Sequence, residues 1–416
     1  MSILIKNIKS LVNVMDQPGP WVAGRNMSEL NTLEDAFLLM ENDKITDFGK
    51  MDNFSHQDFG GEVIDATGRM VFPSFCDSHT HLVYAGSREI EYSDKIRGLS
   101  YEEIAQRGGG ILNSAKRLHN TSEDDLYEQS LKRVEEIMAL GTGAVEIKSG
   151  YGLTVEDELK MLKVIKRLKE TTPITIKSTF LGAHSIPAEH KSDPDKYVDI
   201  VVDQMLPEVG KQHLADYVDV FCDRGFFTIE QTDRILNAAL KYGMKPKIHA
   251  NELDYSGGIQ VGIKHKALSV DHLEYTGDEE IQALLESKTM PTLLPGAAFF
   301  LGLVDPPVRK MVEAGLPIAL ASDYNPGSSP SGNMKFIMSL GTIKLKMLPE
   351  EVIHAATANG AYAMGLQDEL GTITKGKRGN VFITKPISTY AFMPYAYGSH
   401  LIERVILNGK LQEYHI

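Results

Sequence analysis

The chain has 416 residues, of which 42% are hydrophobic and 24% are charged, and its formal net charge is −13. A chain of this length exceeds the size at which one hydrophobic core keeps growing, so we expect one large domain and a smaller one. The excess of acidic residues argues against nucleic acid or an anionic membrane as a partner, because both attract clusters of lysine and arginine.

The chain contains only two cysteines, Cys76 and Cys222. That number is too small for a disulfide framework and fits a reducing compartment. Residues 1–6 lack the long apolar core and the cleavage site of a signal peptide. The longest apolar run, residues 290–304, is broken by proline and glycine and is too short to span a bilayer. We therefore expect a cytoplasmic protein with no membrane partner.

The two ends of the chain share a pattern of short strands and tight turns. Apolar runs at residues 3–8, 36–41, 45–49 and 63–65 are separated by Asn-Asp and Thr-Gly turn signals. The tail repeats this pattern at 371–373, 380–384 and 404–407, and Asn408-Gly409 is a hairpin signal. We infer that residues 1–73 and 371–416 together form one small composite β-sandwich domain.

Residues 74–370 alternate between β-rich apolar runs and amphipathic stretches of helical period, which is typical of β/α units and a parallel sheet. The runs number eight: 75–83, 144–149, 174–182, 217–222, 247–251, 268–273, 289–294 and 318–322. Eight units across roughly 300 residues predict a TIM (β/α)8 barrel. A doubly wound open sheet is the alternative, but the first run lacks the Gly-x-Gly-x-x-Gly turn of a dinucleotide fold.

The most informative motif is His79-Thr80-His81, near the end of the first of these runs. Side chains alternate along a β-strand, so we expect His79 and His81 to project to the same face, close enough to bind one metal ion. Imidazole is a common ligand for zinc and other divalent transition metals. Alone, two histidines at this spacing are weak evidence, because they also occur by chance on protein surfaces.

Five of the 13 histidines lie at or just beyond the end of an apolar run: His79, His81, His184, His249 and His272. Each alone would be read as a hydrogen-bonded imidazole at a strand end. Because the strand ends form the active face of a TIM barrel, the five together predict a catalytic centre. Asp323 directly follows the eighth run and adds a carboxylate, although a helix N-cap is the other common role for such an aspartate.

These histidines and Asp323, on a barrel with a two-ended β domain, resemble the amidohydrolase superfamily of metal-dependent hydrolases. Five further strings, at residues 84–88, 107–111, 146–153, 180–184 and 322–328, closely resemble the imidazolonepropionase family of histidine degradation. The resemblance covers nearly the whole chain. These strings are much more specific than His-x-His.

The resemblance implies one divalent metal ion, zinc or iron, held by His79, His81, His249 and Asp323. Three neutral nitrogens and one carboxylate leave room for a water molecule, whose pKa such an ion lowers from about 16 toward roughly 7. The implied reaction is hydrolysis of the cyclic amide bond of 4-imidazolone-5-propionate to N-formimidoyl-L-glutamate. The family also suggests a homodimer.

Proton transfer has three candidates. Asp323 and His272 could each accept a proton from the water, and the sequence does not decide between them. Glu252 could return the proton to the leaving ring nitrogen, with a solvated loop carboxylate as an equally good reading. Lys148 ends the second run, but the carboxylated lysine of binuclear relatives belongs on another strand, so we expect a structural or supporting role.

Substrate recognition requires a cation for the propionate arm. Arg88 suits it, because guanidinium binds carboxylate in a bidentate fork, although without the resemblance it would be read as a surface arginine. Tyr151 and His184 match substrate-contacting positions, with a loop aromatic and a core histidine as the plainer alternatives. The loop after Asp323 offers donors that could hold the charged end of the product, from Asn325, Gly327 and Ser328.

Two alternatives to this function stay open. A heterocyclic-base deaminase would use nearly the same ligands, but a neutral base needs no carboxylate clamp such as Arg88. A non-catalytic scaffold would be marked by lost metal ligands, and all are present here. Residues 108–110, three consecutive glycines, predict either a hinge or lid near the mouth of the site or a plain surface turn.

Overall fold

The structure, a computed structural model, describes residues 2–54, 59–99 and 109–413. Its strands, in chain order, are β1 (Ser2–Val12), β2 (Thr32–Glu41), β3 (Lys44–Lys50), β4 (Glu62–Asp65), β5 (Met70–Pro73), β6 (Phe75–Asp77), β7 (Thr142–Lys148), β8 (Thr175–Ala183), β9 (Tyr217–Cys222), β10 (Lys245–Ala250), β11 (Ser269–His272), β12 (Met290–Leu293), β13 (Ala319–Leu320), β14 (Val381–Thr384), β15 (Ile402–Leu407) and β16 (Lys410–Gln412).

The α-helices of the described chain lie mainly between the strands of the central part. They cover Glu89–Ile96, Ile111–His119, Glu123–Ala139, Val155–Thr171, Pro194–Ile200, Leu206–Lys211, Ile229–Leu240, Gly258–Lys264, Asp278–Leu285, Pro295–Leu301, Val308–Ala314, Met334–Ile343, Pro349–Ala356, Ala358–Ala363 and Phe392–Tyr395. None of the helices in the described ranges is both long and apolar enough to cross a membrane.

The helix Glu123–Ala139 illustrates how local sequence sets these elements. Ser122 caps its first turn, because the Ser122 hydroxyl accepts a hydrogen bond from the Asp125 N–H at 3.1 Å. Apolar residues then recur at helical spacing, and Leu126, Val134 and Ile137 are fully buried against the barrel. The helical period predicted for this stretch is therefore confirmed.

The strands β6 to β13 form one parallel sheet in chain order, which confirms the predicted TIM barrel. Its two ends meet just beyond the outermost strands, where the His81 N–H donates to the Tyr324 carbonyl at 2.9 Å and the Asp323 N–H donates to the His79 carbonyl at 3.0 Å. One strand overlaps each of the eight predicted runs. Four strands, β6, β11, β12 and β13, are shorter than predicted. The difference is largest for β6, which ends at Asp77.

This early end corrects the expectation that His79 and His81 lie within a strand. Both follow β6, in a segment that stays extended because Thr80 forms an isolated bridge with Tyr324. The Thr80 hydroxyl points away from the two imidazoles and donates to the Glu146 carbonyl at 2.6 Å. The alternation expected of a strand thus still places both histidines on one face.

The second sheet joins both ends of the chain in the order β16-β15-β14-β5-β1-β2-β3, with β4 also paired to β1. The predicted composite β domain is thereby confirmed, although the sequence pattern did not predict β5. Asn408 and Gly409 join β15 to β16 with φ of 52° and 66°, as expected for the predicted hairpin. The predicted run 371–373 forms only an isolated bridge, between Ile373 and Val14.

Each sheet has a hydrophobic core, although one face of the terminal sheet, which includes Phe72 and Phe382, packs in the core of the barrel. Apolar residues from both ends of the chain, among them Ile5, Leu38 and Ile383, pack in one cluster, separate from the barrel core. Met27 instead packs in the barrel core, so part of the N-terminal segment covers the barrel. We propose the division into 1–73 plus 371–416 and 74–370 as the domain boundaries, which the separate cores support.

Candidate metal centre and substrate cavity

Three histidines and one aspartate converge at the C-terminal ends of the barrel strands. His81 Nε2 lies 3.3 Å from His79 Nε2 and 3.3 Å from His249 Nε2. Asp323 Oδ1 lies 3.6 Å from His79 Nε2 and 3.5 Å from His81 Nε2. All four side chains are buried, so the structure brings the four predicted metal ligands together.

The donor set fits a divalent cation. Burial is the main cause that lowers the pKa of His79 and His81 well below the ordinary value, so both imidazoles are neutral at pH 7. Burial also lowers the pKa of His249, to about 4. A neutral imidazole whose Nδ1 carries the proton offers a lone pair on Nε2. Three such lone pairs that face one another repel unless a cation lies between them. The cluster therefore offers a site for a cation.

Two buried aspartates orient these imidazoles. Asp271 Oδ2 lies 2.6 Å from His79 Nδ1, and Asp219 Oδ2 lies 2.9 Å from His249 Nδ1. A carboxylate at Nδ1 fixes the tautomer that leaves Nε2 free for a metal. The sequence reasoning missed both aspartates. Their signal was a charged residue inside an otherwise apolar strand run.

Lys148 lies beneath the metal ligands and contacts both orienting aspartates. Its Nζ is 2.8 Å from Asp219 Oδ2, 3.8 Å from Asp271 Oδ2 and 2.6 Å from Glu146 Oε1. Lys247 also pairs with Glu146, and it donates to the carbonyl of Ser78, next to His79. These five charged side chains, Glu146, Lys148, Asp219, Lys247 and Asp271, are all within 1% of complete burial and form what we call the support cluster.

We propose that Lys148 has a positioning role in the support cluster. Burial favours its neutral amine, but Asp219, Glu146 and Asp271 outweigh burial and raise the pKa of Lys148 above its ordinary value. A lysine must lose its proton before it can be carboxylated, so this environment opposes the bridging role that Lys148 would have in a binuclear centre.

We expect Lys148→Met to weaken metal binding roughly 10- to 100-fold, the usual effect of removing groups that support ligands. The substitution leaves three buried carboxylates with one cation, so the free energy of unfolding should also fall by about 3 to 5 kcal/mol. Zinc titration and denaturant unfolding measure the two effects. Lys377→Met is the matched control, because Lys377 is also buried but bonds only to the Leu370 carbonyl among the described contacts. Unchanged zinc affinity in Lys148→Met would refute the positioning role.

The strand ends at the site carry strained backbone. His272, Leu273 and Asp323 have φ of 86°, 71° and 51°, in the left-handed region that these residues rarely adopt. On a regular strand Asp271 and His272 would point to opposite faces. Here Asp271 reaches His79 while His272 lines the cavity above the ligands, so the strained turn lets two consecutive side chains serve one site.

His272 lies beside the metal ligands, but its two ring nitrogens face other carboxylates. Its Nε2 is 3.7 Å from Glu252 Oε2, and its Nδ1 is 3.9 Å from Glu274 Oε2. Burial opposes its charged form, but Glu252, Glu274 and Asp323 outweigh burial and raise the pKa of His272 to about 10. Burial is the main cause that raises the pKa of Glu252 to about 7 and that of Asp323 to about 6. Sequence reasoning did not single out Glu274.

A cavity of about 550 Å³ opens above this centre. The cavity is lined by apolar side chains, such as Phe226 and Phe300, and by most of the predicted site residues: His81, Arg88, Tyr151, His184, His249, Glu252, His272, Asp323, Asn325, Gly327 and Ser328. The remaining metal ligand, His79, does not line the cavity. The cavity has the size and the mixed lining of a small-molecule site.

His184 and Tyr151 lie on one wall of the cavity. The His184 ring stacks on His81 at 4.9 Å between centroids, and its Nδ1 lies 3.0 Å from the Gly150 carbonyl. Burial and the neighbouring His249 lower the pKa of His184 to about 3, so it is neutral. Its Nδ1 therefore donates to Gly150, and Nε2 remains as an acceptor for a ligand N–H.

The loop after Asp323 is organised by Asn325. The N–H groups of Gly327 and Ser328 each donate to Asn325 Oδ1 at 2.8 Å. These are the backbone donors that the sequence suggested for the product, so a product could use them only by replacing Asn325. Product binding by this loop stays a prediction.

The predicted glycine hinge lies at the edge of the described chain. Gly108 falls outside the described residues. Gly110 has φ of 82° and is the N-cap residue of the helix Ile111–His119. The positive φ that glycine permits is thus used at Gly110 to begin a helix. A hinge at residues 108–110 stays a prediction.

Comparisons with known proteins agree with this geometry. The model of the amidohydrolase family matches residues 70–411. Two imidazolonepropionases, from Christiangramia forsetii and Flavobacterium johnsoniae, are each 56% identical to the chain over 411 residues, which is 99% of this chain and 100% of each relative. A third, from Geobacillus kaustophilus, is 41% identical over 413 residues, with 98% of this chain and 97% of the relative covered.

Solved structures share the fold at low sequence identity. A triazine hydrolase variant aligns with a TM-score of 0.77 at 17% identity, over 99% of this chain and 94% of that one. Guanine deaminase of E. coli aligns with a TM-score of 0.75 at 15% identity, over 100% of both chains. Atrazine chlorohydrolase from Arthrobacter aurescens, solved with zinc, aligns with a TM-score of 0.74 at 16% identity, over 98% and 94% of the two chains.

Proposed function

The chain belongs to the imidazolonepropionases of the amidohydrolase family, and we propose that it hydrolyses the ring amide of 4-imidazolone-5-propionate to N-formimidoyl-L-glutamate in histidine degradation. Family membership makes the protein a hydrolase acting on carbon–nitrogen bonds. The observation that carries the specific substrate is that one cavity combines the metal ligands with Arg88, a cation suited to the propionate carboxylate.

We propose that one divalent ion, zinc or iron, is held by His79, His81, His249 and Asp323. When bound, such an ion lowers the pKa of a water molecule enough to supply a hydroxide nucleophile near neutral pH and polarises the carbonyl under attack. The support cluster would fix the ligand imidazoles, so that little reorganisation is needed during the reaction. Support for a single-ion site comes from the contacts of Lys148, whose Nζ pairs with Glu146 and Asp219, because these carboxylates favour the ammonium form over a bridging carbamate.

Asp323 is our proposed first proton acceptor. Its pKa of about 6 leaves its carboxylate ionised at neutral pH, whereas His272 already carries a proton among three carboxylates. His272 can then donate a hydrogen bond to the carbonyl oxygen as negative charge develops there. Glu252, with a pKa of about 7 and within 3.7 Å of His272, is suited to receive the proton that Asp323 takes from the water and to return it to the leaving ring nitrogen.

We propose that the substrate contacts Tyr151 and His184. We also propose that the product contacts the loop of Asn325, Gly327 and Ser328. The same chemistry makes a small molecule with a carboxylate arm the proposed partner. The net charge of −13 argues against nucleic acid. The family resemblance alone suggests a second copy of the chain in a homodimer. A cytoplasmic location is supported by the two buried free cysteines, Cys76 and Cys222.

The proposed substrate is tested most specifically at Arg88. Removing the guanidinium leaves the substrate carboxylate desolvated and unpaired, a loss of about 2 to 5 kcal/mol. At about 1.4 kcal/mol per decade, we expect Arg88→Met to lower kcat/KM by roughly thirty- to several thousand-fold. Metal content should not change, because Arg88 does not contact the ligands.

The control is a substrate analogue in which a neutral amide replaces the propionate carboxylate. The native enzyme should use it poorly, and Arg88→Met should lose little further. If Arg88→Met loses as much with the analogue as with the true substrate, then Arg88 supports the fold, and the assignment of the propionate arm is wrong.

A further inference from the structure

Glu91 fixes the position of Arg88. Its Oε2 accepts hydrogen bonds from Arg88 Nε at 2.7 Å and from the Gly110 N–H at 3.0 Å, and its Oε1 accepts from Asn113 Nδ2 at 2.9 Å. The side chains of Arg88 and Glu91 are both only 14% exposed. Glu91 lines the cavity, yet no role described above uses it.

Gly327 restrains the same guanidinium on another side. A Cβ atom added at Gly327 would lie 2.5 Å from Arg88 Cζ and would also overlap Nη1. The guanidinium therefore packs directly over the Gly327 backbone, an approach that only glycine permits. Glu91 at Nε and Gly327 beside Nη1 together restrict Arg88 to one orientation.

We propose that Glu91 is a positioning residue that presents Arg88 to a substrate carboxylate, an inference that rests on the proposed function. A guanidinium has five N–H donors in a rigid fork. Because Glu91 occupies Nε, the edge formed by Nη1 and Nη2 is the one left to bind both oxygens of a carboxylate. Glu91 thereby selects end-on binding of the acid arm, at a fixed place in the cavity relative to the metal ligands.

Positioning and charge predict opposite effects when Glu91 is removed. Loss of a negative charge beside Arg88 would, through Coulomb attraction alone, tighten the binding of an anionic substrate. Loss of the anchor frees the arginine side chain, and a misplacement of about 1 Å can cost a hundredfold in rate. The direction of the change therefore separates the two explanations.

The test compares Glu91→Ala, Glu91→Gln and Glu89→Gln in the metal-loaded enzyme. For 4-imidazolone-5-propionate we expect Glu91→Ala to lower kcat/KM roughly 10- to 100-fold, mainly through a higher KM. Glu91→Gln should recover most of this loss, since its amide oxygen can still accept from Arg88 Nε. Glu89→Gln, an exposed change on the same helix, should match the native enzyme. With the neutral-amide analogue, Glu91→Ala should differ little from native.

A native or lower KM in Glu91→Ala would overturn the inference, as would an equal loss with the analogue, which would indicate damage to the fold. Arg88→Met in the same assay separates this failure from failure of the proposed function. A large loss in Arg88→Met with native behaviour in Glu91→Ala rejects the Glu91 role alone. If Arg88→Met also behaves as native, the carboxylate clamp and the inference built on it are both wrong.

Discussion

His249→Ala should abolish both metal binding and hydrolysis. His249 Nε2 is 3.3 Å from His81 Nε2 in the ligand set, and its loss leaves two imidazoles and one carboxylate. The activated water depends on the ion, so activity should fall to background rather than by a partial factor. Elemental analysis of purified protein, together with the hydrolysis assay, measures both effects.

The matched control is His119→Ala. The His119 side chain is 65% exposed and pairs with Asp157 on the outside of the barrel, so this change also removes one imidazole without touching the centre. It should keep metal and activity. Metal retained at the native level in His249→Ala would show that the ion is held elsewhere.

His272→Ala should lower kcat by roughly a hundred- to ten-thousandfold while metal content stays near normal. His272 lies beside the metal ligands, with its ring centroid 5.3 Å from that of His249, but its nitrogens face Glu252 and Glu274. The loss should therefore fall on the stabilisation of developing charge and on proton transfer. Steady-state kinetics and elemental analysis on the same preparation separate the two properties.

Glu252→Gln provides the companion measurement. If Glu252 and His272 act as one unit, the double variant should lose little more than the worse single variant, because effects within a unit are not additive. Loss of metal from His272→Ala would instead make His272 a ligand and would contradict the proton-transfer role.

The barrel and the main site residues could be predicted from sequence because their signals are local. Eight apolar runs mark the strands, and a histidine just past the end of a run falls on the active face of a barrel. His184 and His249, more than 60 residues apart in sequence, have ring centroids 5.8 Å apart for this reason. The early end of β6 was not predictable. Beyond Asp77 the chain is extended only through an isolated bridge between Thr80 and Tyr324, and Tyr324 follows the last strand of the barrel.

The groups that position the ligands could not be predicted, because each is defined by partners on other strands. A lysine within an apolar run, such as Lys247, interrupts the apolar pattern without indicating a role. Its role depends on its ion pair with Glu146, which lies on another strand. Asp271 was hidden in a similar way, since a regular strand cannot turn both Asp271 and His272 inward. Glu91 is one of several acids on a short helix, and its partners Arg88 and Asn113 are identified only by the structure.

Hydrolysis is measured by following 4-imidazolone-5-propionate in the ultraviolet with purified enzyme, before and after removal and return of the metal. We expect loss of the imidazolone absorbance with stoichiometric formation of N-formimidoyl-L-glutamate. A chelator should abolish this turnover, and added zinc or ferrous iron should restore it. Absence of turnover by the fully metal-loaded enzyme, or release of ammonia from a neutral heterocyclic base instead, would contradict the proposed function.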